Sequence, residues 1–232
     1  MSALRNAQIA AGMLALVLAA PDAEAELVST RHFSSFEQVQ PHISAGFEFV
    51  ARADTENLRL TVDSPPAADS TPFGIWNEGV PHAFKVVYNA SGLAGIEIDD
   101  LFADQTAPIS PQTNGLLITA HAAGEPLASA HVANLRLTLP DFTILDIADA
   151  AAAPATDYLL LETTAPLAAG FILSGTVEFD WAETIPPPAD LWFEAAPVVV
   201  VPEPTSLISL AAAILAACGA RLRISRPKAS CT

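Results

Sequence analysis

The chain has 232 residues and a formal net charge of −16 at pH 7. All but three of the 26 acidic residues lie between Glu26 and Val201, where only five basic residues accompany them. Because nucleic-acid binding depends on Lys and Arg side chains that displace counterions from phosphates, this charge excludes nucleic acid as a partner. Both cysteines, Cys218 and Cys231, lie near the end of the sequence, so the central region has no internal disulfide.

The first 25 residues have the layout of a secretory signal peptide. Arg5 supplies a positive charge at the start, and an apolar run follows over residues 7–20. Ala23 and Ala25 place small side chains at the two positions that a signal peptidase must accommodate, so cleavage is expected after Ala25. The alternatives are an uncleaved N-terminal anchor or a buried core helix. We predict a removable signal helix and signal peptidase as a partner.

Short runs of alternating or β-branched residues, separated by Pro, Gly, Asp and Asn, dominate residues 26–185. This spacing predicts about eight short strands in an all-β domain, an antiparallel, jelly-roll-like β-sandwich. Two of the runs are expected to form a hairpin around residues 54–56. The predicted strands are residues 47–52, 57–62, 83–88, 95–98, 116–120, 132–139, 158–162 and 171–181. One helical turn is expected within the alanine-rich residues 147–155.

Three consecutive prolines, residues 186–188, follow this domain. Proline fixes φ and favours the extended polyproline conformation. We therefore predict that residues 186–201 form a stiff spacer that holds the domain away from a membrane.

The last 31 residues begin with a proline motif and continue as an apolar run. Pro202 and Pro204 flank Glu203 and favour an extended segment that is accessible to an enzyme. The apolar run covers residues 207–220 and spans about 21 Å as a helix, which is shorter than the roughly 30 Å hydrocarbon core of a bilayer. Length alone therefore favours a buried soluble helix.

The basic end of the chain favours a membrane segment instead. Arg221, Arg223 and Arg226 follow the apolar run directly. By the positive-inside rule they keep residues 221–232 cytoplasmic, and the first two can snorkel to lengthen the span. We therefore predict a transmembrane helix over residues 207–220.

Taken together, the proline motif, the apolar helix and the terminal arginines resemble the PEP-CTERM sorting signal of Gram-negative bacteria, a tail also labelled ice-binding protein C-terminal domain. The resemblance covers residues 202–232 and implies a transient anchor in the inner membrane. It implies processing near the motif by an exosortase, an integral-membrane protease. Pro202, Glu203 and Pro204 would then be recognition residues, and Arg221, Arg223 and Arg226 would form the stop-transfer cluster. The mature protein would lie at the cell surface or outside the cell, in association with exopolysaccharide and biofilm.

No catalytic motif accompanies these targeting features. The sequence contains no Gly-x-Ser-x-Gly, no His-Glu-x-x-His, no phosphate-binding glycine loop and no paired cysteines. Its densest carboxylate groups are Asp99, Asp100 and Asp104, and then Asp141, Asp146 and Asp149. Neither group has the spacing of a calcium-binding loop, so we interpret both as solvated turns. We expect no enzyme activity, no cofactor and no metal site.

Trp76 is the candidate sugar-binding residue, because it lies in a proline-bounded loop where an aromatic ring can serve as a platform for a sugar. The alternative is that this ring packs in the core. Our first hypothesis is an exported surface or matrix protein sorted by exosortase. The second is a carbohydrate-binding module in the same location. The third is a secreted hydrolase, whose paired carboxylates would be recognisable only in space.

Overall fold

The computed structural model describes residues 26–44, 47–62, 68–72, 76–123, 128–152, 155–182 and 184–201. Two antiparallel sheets account for most of these residues. Numbered along the chain and given in spatial order, the first sheet contains β1 (Leu27–Phe33), β12 (Thr156–Thr163), β8 (Gly115–Ala122), β14 (Leu191–Val198), β2 (Phe49–Asp54), β3 (Asn57–Val62) and β4 (Ala68–Pro72). The second contains β10 (Ile144–Asp146), β9 (Ser129–Thr138), β13 (Gly170–Asp180), β5 (His82–Asn89), β6 (Leu93–Ile98) and β7 (Leu101–Thr106), and β11 (Ala150–Ala152) also pairs with β9.

Alternating side chains explain why the two sheets pack face to face. Along β5, for example, Phe84, Val86 and Tyr88 are buried while the residues between them face outward. The ring of Phe84 meets the ring of Phe193, from β14 of the other sheet, with 4.7 Å between centroids. The inner faces of both sheets therefore share one hydrophobic core.

A second, smaller core lies on the outer face of the first sheet. The helix α1 (Phe36–Val39) and the 3₁₀ turn Gln40–His42 follow β1 and cover this face. Its buried members are Val39, Ile43, Leu117, Leu160, Val198 and Val200. Among the residues described, no helix has the length and apolar character needed to cross a membrane.

The all-β class predicted from the sequence is confirmed, and each predicted strand overlaps an observed one. The predicted hairpin is formed by β2 and β3. Its turn is closed by the Asp54 carboxylate, which accepts the backbone amides of Glu56 and Asn57 at 3.0 and 2.9 Å. This local bond is the reason that Asp favours such turns.

The expected helical turn within residues 147–155 is wrong. Ala150, Ala151 and Ala152 instead form β11, which lies opposite residues 130–132 of β9. Alanine favours a helix only weakly, and pairing with the exposed edge of β9 outweighs that preference.

The predicted spacer is also wrong, because residues 191–198 form β14 in the interior of the first sheet, between β8 and β2. Residues 186–188 are held by the domain as well: the Thr55 hydroxyl donates to the Pro186 carbonyl at 3.1 Å, and Arg52 donates to the Pro188 carbonyl at 2.9 Å. Pro197 lies within β14, although proline is disfavoured inside a sheet because it has no backbone N–H to donate. It is tolerated because the pairing of β14 with β2 ends at Ala195, so Pro197 has a neighbour strand on one side only.

Both ends of the described chain lie at one end of the sandwich. Leu27 begins β1 opposite Thr163, the last residue of β12, and Val198 ends β14 opposite Gly115, the first residue of β8. β1 and β14 are separated by two strands, which corresponds to about 14 Å. We call this end of the sandwich the terminal pole.

Hydrogen bonds connect the two chain ends across the terminal pole. The amide of Thr164 donates to the Glu26 carbonyl at 3.0 Å, and the amide of Thr163 donates to the Asn114 carbonyl at 2.8 Å. The Asn114 side chain in turn accepts the amide of Val200 at 2.8 Å. Val201 is still part of the fold, since its amide donates to the His42 carbonyl at 2.8 Å.

Candidate functional site

A groove of about 750 Å³ lies on the outer face of the second sheet. Its floor is formed by β5, β6, β9 and β13, and one wall is formed by the segment that follows β10. Because this face is turned away from the hydrophobic core, its side chains are free to be polar. The groove is the candidate functional site, and we call it the polar groove.

Strand register aligns five polar side chains across the polar groove. Asp146 lies opposite Arg136, Arg136 opposite Ser174, Ser174 opposite Lys85, and Lys85 opposite Glu97. Directly opposed residues point to the same face, and four inter-strand steps span about 19 Å. The result is a line of alternating acceptors and donors that is long enough for several units of a polymer.

Two exposed ion pairs lie in this line. Lys85 Nζ is 3.1 Å from Glu97 Oε1, and Arg136 Nε is 3.1 Å from Asp146 Oδ1. Exposed pairs of this kind contribute only about 0–1 kcal/mol to stability. A ligand can therefore replace either pairing at small cost to the fold.

Two backbone irregularities shape the floor of the polar groove. The register between β13 and β9 shifts between Ser174 and Thr176, where two residues of β9, Asn134 and Leu135, lie opposite the single residue Gly175 and form a bulge on β9. A Cβ at Gly175 would lie 2.8 Å from the Ala133 carbonyl oxygen and 3.0 Å from the Phe84 ring, so only glycine fits. On β9, Asn134 adopts a left-handed conformation with φ of 54°, which Asn tolerates better than most residues.

The wall residues fix the left-handed Asn134. The Asp149 carboxylate accepts its backbone amide at 2.9 Å, and the side-chain amide donates to the Thr176 hydroxyl at 3.3 Å. Asp99, at the other side of the groove, accepts from His82 Nδ1 at 2.7 Å. The polar groove is therefore lined by three carboxylates that the sequence analysis assigned to solvated turns, those of Asp99, Asp146 and Asp149.

The chemistry of the groove suits a hydroxyl-rich ligand. Carboxylates, an amide, hydroxyls and two cations lie side by side, and sugar hydroxyls both donate and accept hydrogen bonds. Within the described ranges, no group of three or more His, Cys, Asp or Glu side chains is arranged to hold a metal ion.

A second polar cluster lies on the outer face of the first sheet. Arg52 donates to Glu194 at 3.2 Å, and its guanidinium lies 4.4 Å from the centroid of the Trp192 ring. His121 stacks on the same ring at 4.8 Å. Because Arg52 also bonds the Pro188 carbonyl, this cluster joins β14, β2 and the proline run. Because these contacts connect elements of the fold to one another, we interpret the cluster as structural.

Burial shifts the titration of this cluster. It raises the pKa of Glu194, an effect that the nearby Arg52 partly offsets. Burial lowers the pKa of His121, and Arg52 lowers it further. Burial also raises the pKa of Tyr158, with a smaller contribution from Glu194. Each shift is in the direction expected when an ionisable group loses solvent.

Trp76 is not a sugar-binding platform, and this prediction is corrected. Its side chain is only 2 % exposed and packs against Phe179 at 4.7 Å between ring centroids. Its indole nitrogen donates to the Asp54 carbonyl at 2.8 Å. Both faces of the ring are therefore covered, and Trp76 packs in the core, which was the alternative given for it in the sequence analysis.

The other predicted site residues lie outside the described residues. They are the signal peptidase positions Ala23 and Ala25, the motif residues Pro202, Glu203 and Pro204, and the stop-transfer residues Arg221, Arg223 and Arg226. The polar groove had no local signal in the sequence, because its residues come from strands that are far apart along the chain.

Comparison with known proteins gives no family for this chain. No protein-family model matches it. No curated protein matches it significantly.

Proposed function

We propose that this chain is an exported surface or extracellular-matrix protein of a Gram-negative bacterium, sorted and processed by exosortase through its Pro-Glu-Pro tail. In this proposal a jelly-roll-like β-sandwich is made with an N-terminal signal helix and a C-terminal transmembrane helix. The protein is exported, held transiently in the inner membrane, and then placed at the cell surface or outside the cell. It acts there without enzyme activity, in association with exopolysaccharide and biofilm.

The proposal is supported by the positions at which the folded domain begins and ends, because both are next to a predicted processing site in the sequence. β1 begins at Leu27, two residues after Ala25, and Val201 makes a backbone hydrogen bond directly before Pro202. Removal of both end segments would therefore leave the described sheets intact. The described chain ends that lead to these sites, Glu26 and Val201, both lie at the terminal pole, so this end of the domain would face the membrane while the chain is anchored.

The tail is tested by replacing Pro202, Glu203 and Pro204 with alanines. We expect the variant to be exported and to remain uncleaved in the inner membrane, because the extended recognition segment is lost. Immunoblots of inner-membrane and extracellular fractions measure this result. Pro227→Ala, which removes a proline beyond the arginine cluster, is the matched control and should be processed normally. Normal release of the triple variant would contradict the sorting proposal.

A second candidate function, a carbohydrate-binding module at the cell surface, is supported by the polar groove. The line of donors and acceptors from Asp146 to Glu97 suits a polysaccharide chain, and the groove replaces Trp76 as the proposed contact. Lys85 and Arg136 are the two cations in this line.

The groove is tested with the double variant Lys85→Ala, Arg136→Ala. We expect binding on a glycan array to weaken by roughly tenfold or more, since hydrogen bonds from charged groups contribute about 1.5–3 kcal/mol each. Thermal unfolding should change little, because both ion pairs are exposed. Arg59→Ala, on the first sheet, is the control and should bind as the wild type does. Unchanged binding by the double variant would exclude the groove as the glycan site.

A further inference from the structure

Phe142 combines unusual exposure with an unusual backbone. Its side chain is 85 % exposed, and its φ of 66° lies in the left-handed region that bulky residues rarely adopt. Phe142 closes the turn between β9 and β10: its amide donates to the Leu139 carbonyl at 2.9 Å, and the Leu139 amide donates to the Thr143 carbonyl at 2.9 Å. At this position of such a turn Gly or Asn is favoured.

Phenylalanine at this position satisfies neither of the usual requirements. The backbone conformation disfavours it, and the side chain gains little burial within the described residues. Strain of this kind is concentrated at functional positions, where the side chain is needed for something other than the fold. Such an exposed and strained ring is a candidate contact for a partner outside the domain.

Two further apolar residues accompany Phe142. Ile144 is 58 % exposed and Ile172 is 40 % exposed. Ile144 lies opposite Thr138, and Thr138 lies opposite Ile172. The side chains of Ile144, Thr138 and Ile172 therefore lie on one face of the second sheet. An apolar pocket of about 280 Å³ lies between Phe142 and Ile172. We call Phe142, Ile144 and Ile172 the pole patch.

The pole patch lies at the terminal pole. β12 ends at Thr163 at this pole, and a short connection leads from it to Gly170, the first residue of β13. Ile172 and its partner Thr138 are therefore at the same end of the second sheet. β9 also packs across the core from β14, the strand that leads to Val201.

The length of the following chain limits how far the pole patch can lie from a membrane. Leu207, where the predicted anchor begins, is six residues after Val201. Six extended residues reach about 20 Å at most. An anchored chain would therefore hold the terminal pole close to the bilayer surface.

From this geometry we infer that the pole patch docks on the surface of the lipid bilayer, with the Phe142 ring at the boundary of headgroups and acyl chains. The inference rests on the proposed function, since it requires the anchor. Aromatic and aliphatic side chains favour this boundary. The surface we propose is zwitterionic, because the acidic domain and the exposed Asp141, next to Phe142 in sequence, repel an anionic surface.

The inference is tested with the full chain reconstituted in phosphatidylcholine and phosphatidylethanolamine vesicles that contain brominated acyl chains, which quench tryptophan. Phe142→Trp keeps an aromatic ring at the patch. Ile185→Trp is the matched control, because Ile185 is 53 % exposed and lies in the connection between β13 and β14 at the opposite pole. The wild-type chain gives the background from its three tryptophans.

We expect quenching above background for Phe142→Trp and none for Ile185→Trp, and we expect less quenching when anionic phosphatidylglycerol is added. A chain that floats with the vesicles but shows no added quenching at residue 142 would overturn the inference and leave the anchor standing. Equal quenching at both positions would overturn it as well. A chain that does not float with the vesicles would overturn both the anchor and the docking that depends on it.

Discussion

At the scale of single residues, the environment of Glu194 determines a titration that the sequence does not show. The side chain lies between Arg52 and the partly buried Tyr158, and burial raises its pKa above the ordinary value of 4.5. A carboxyl group with a raised pKa binds its proton more tightly in the folded state than in the unfolded state. Its contribution to stability is therefore present at low pH and is lost as the pH rises through the window above 4.5.

The variant Glu194→Gln tests this sign. Glutamine has a similar shape and does not titrate, so the stability of the wild type relative to the variant should fall as the pH rises from about 4 to 7. Urea unfolding at a series of pH values measures the difference. Glu37→Gln, on the exposed side of α1, is the control. A wild type that gains stability over Glu194→Gln across this range would contradict the account.

Residue-level patterns also show why the candidate site could not be found from the sequence. Trp76 stood out because of its residue type and its loop, but its burial depends on Phe179, which is a hundred residues away. Lys85, Arg136 and Ser174 are unremarkable in sequence and become neighbours only through the register of three strands. A line of side chains across a sheet has no local period that a sequence pattern can reveal.

At the scale of elements, alternation predicted the strands that have one buried and one exposed face. β2, β3, β5, β9 and β13 were found in this way, because their inward residues recur at every second position. β14 was missed because it follows three prolines, contains Pro197 and is covered on both faces toward its end. A strand buried on both faces loses the alternation that identifies it.

A stability measurement can distinguish whether residues 191–198 form a core strand or belong to a spacer. Phe193 is fully buried and meets Phe84 of the other sheet. Phe193→Ala should lower the free energy of unfolding by about 3–5 kcal/mol, as expected for removal of a buried aromatic ring. Ile185→Ala, an exposed residue in the preceding connection, should change it by less than about 0.5 kcal/mol. Chemical denaturation compares the two. Equal, small effects would indicate that residues 186–201 are a spacer after all.

At the scale of the whole molecule, the arrangement of the chain ends connects the fold to the proposed export. In the described part of the chain β1 is the first strand and β14 is the last; two strands lie between them in the sheet, and the start of β1 and the end of β14 are both at the terminal pole. Because β14 lies between β8 and β2, the first sheet is complete only when residues 191–198 are in place. An exported chain would therefore finish folding after nearly all of the central region has crossed the membrane, while the tail still holds it.

The central claim is that this domain is the product of cleavage at both of its ends, and intact-mass spectrometry of the protein recovered outside producing cells tests it most directly. The account predicts a product that begins at Glu26 and ends close to residues 202–204. A full-length chain of 232 residues that retains Met1 and remains in the cytosol would contradict it.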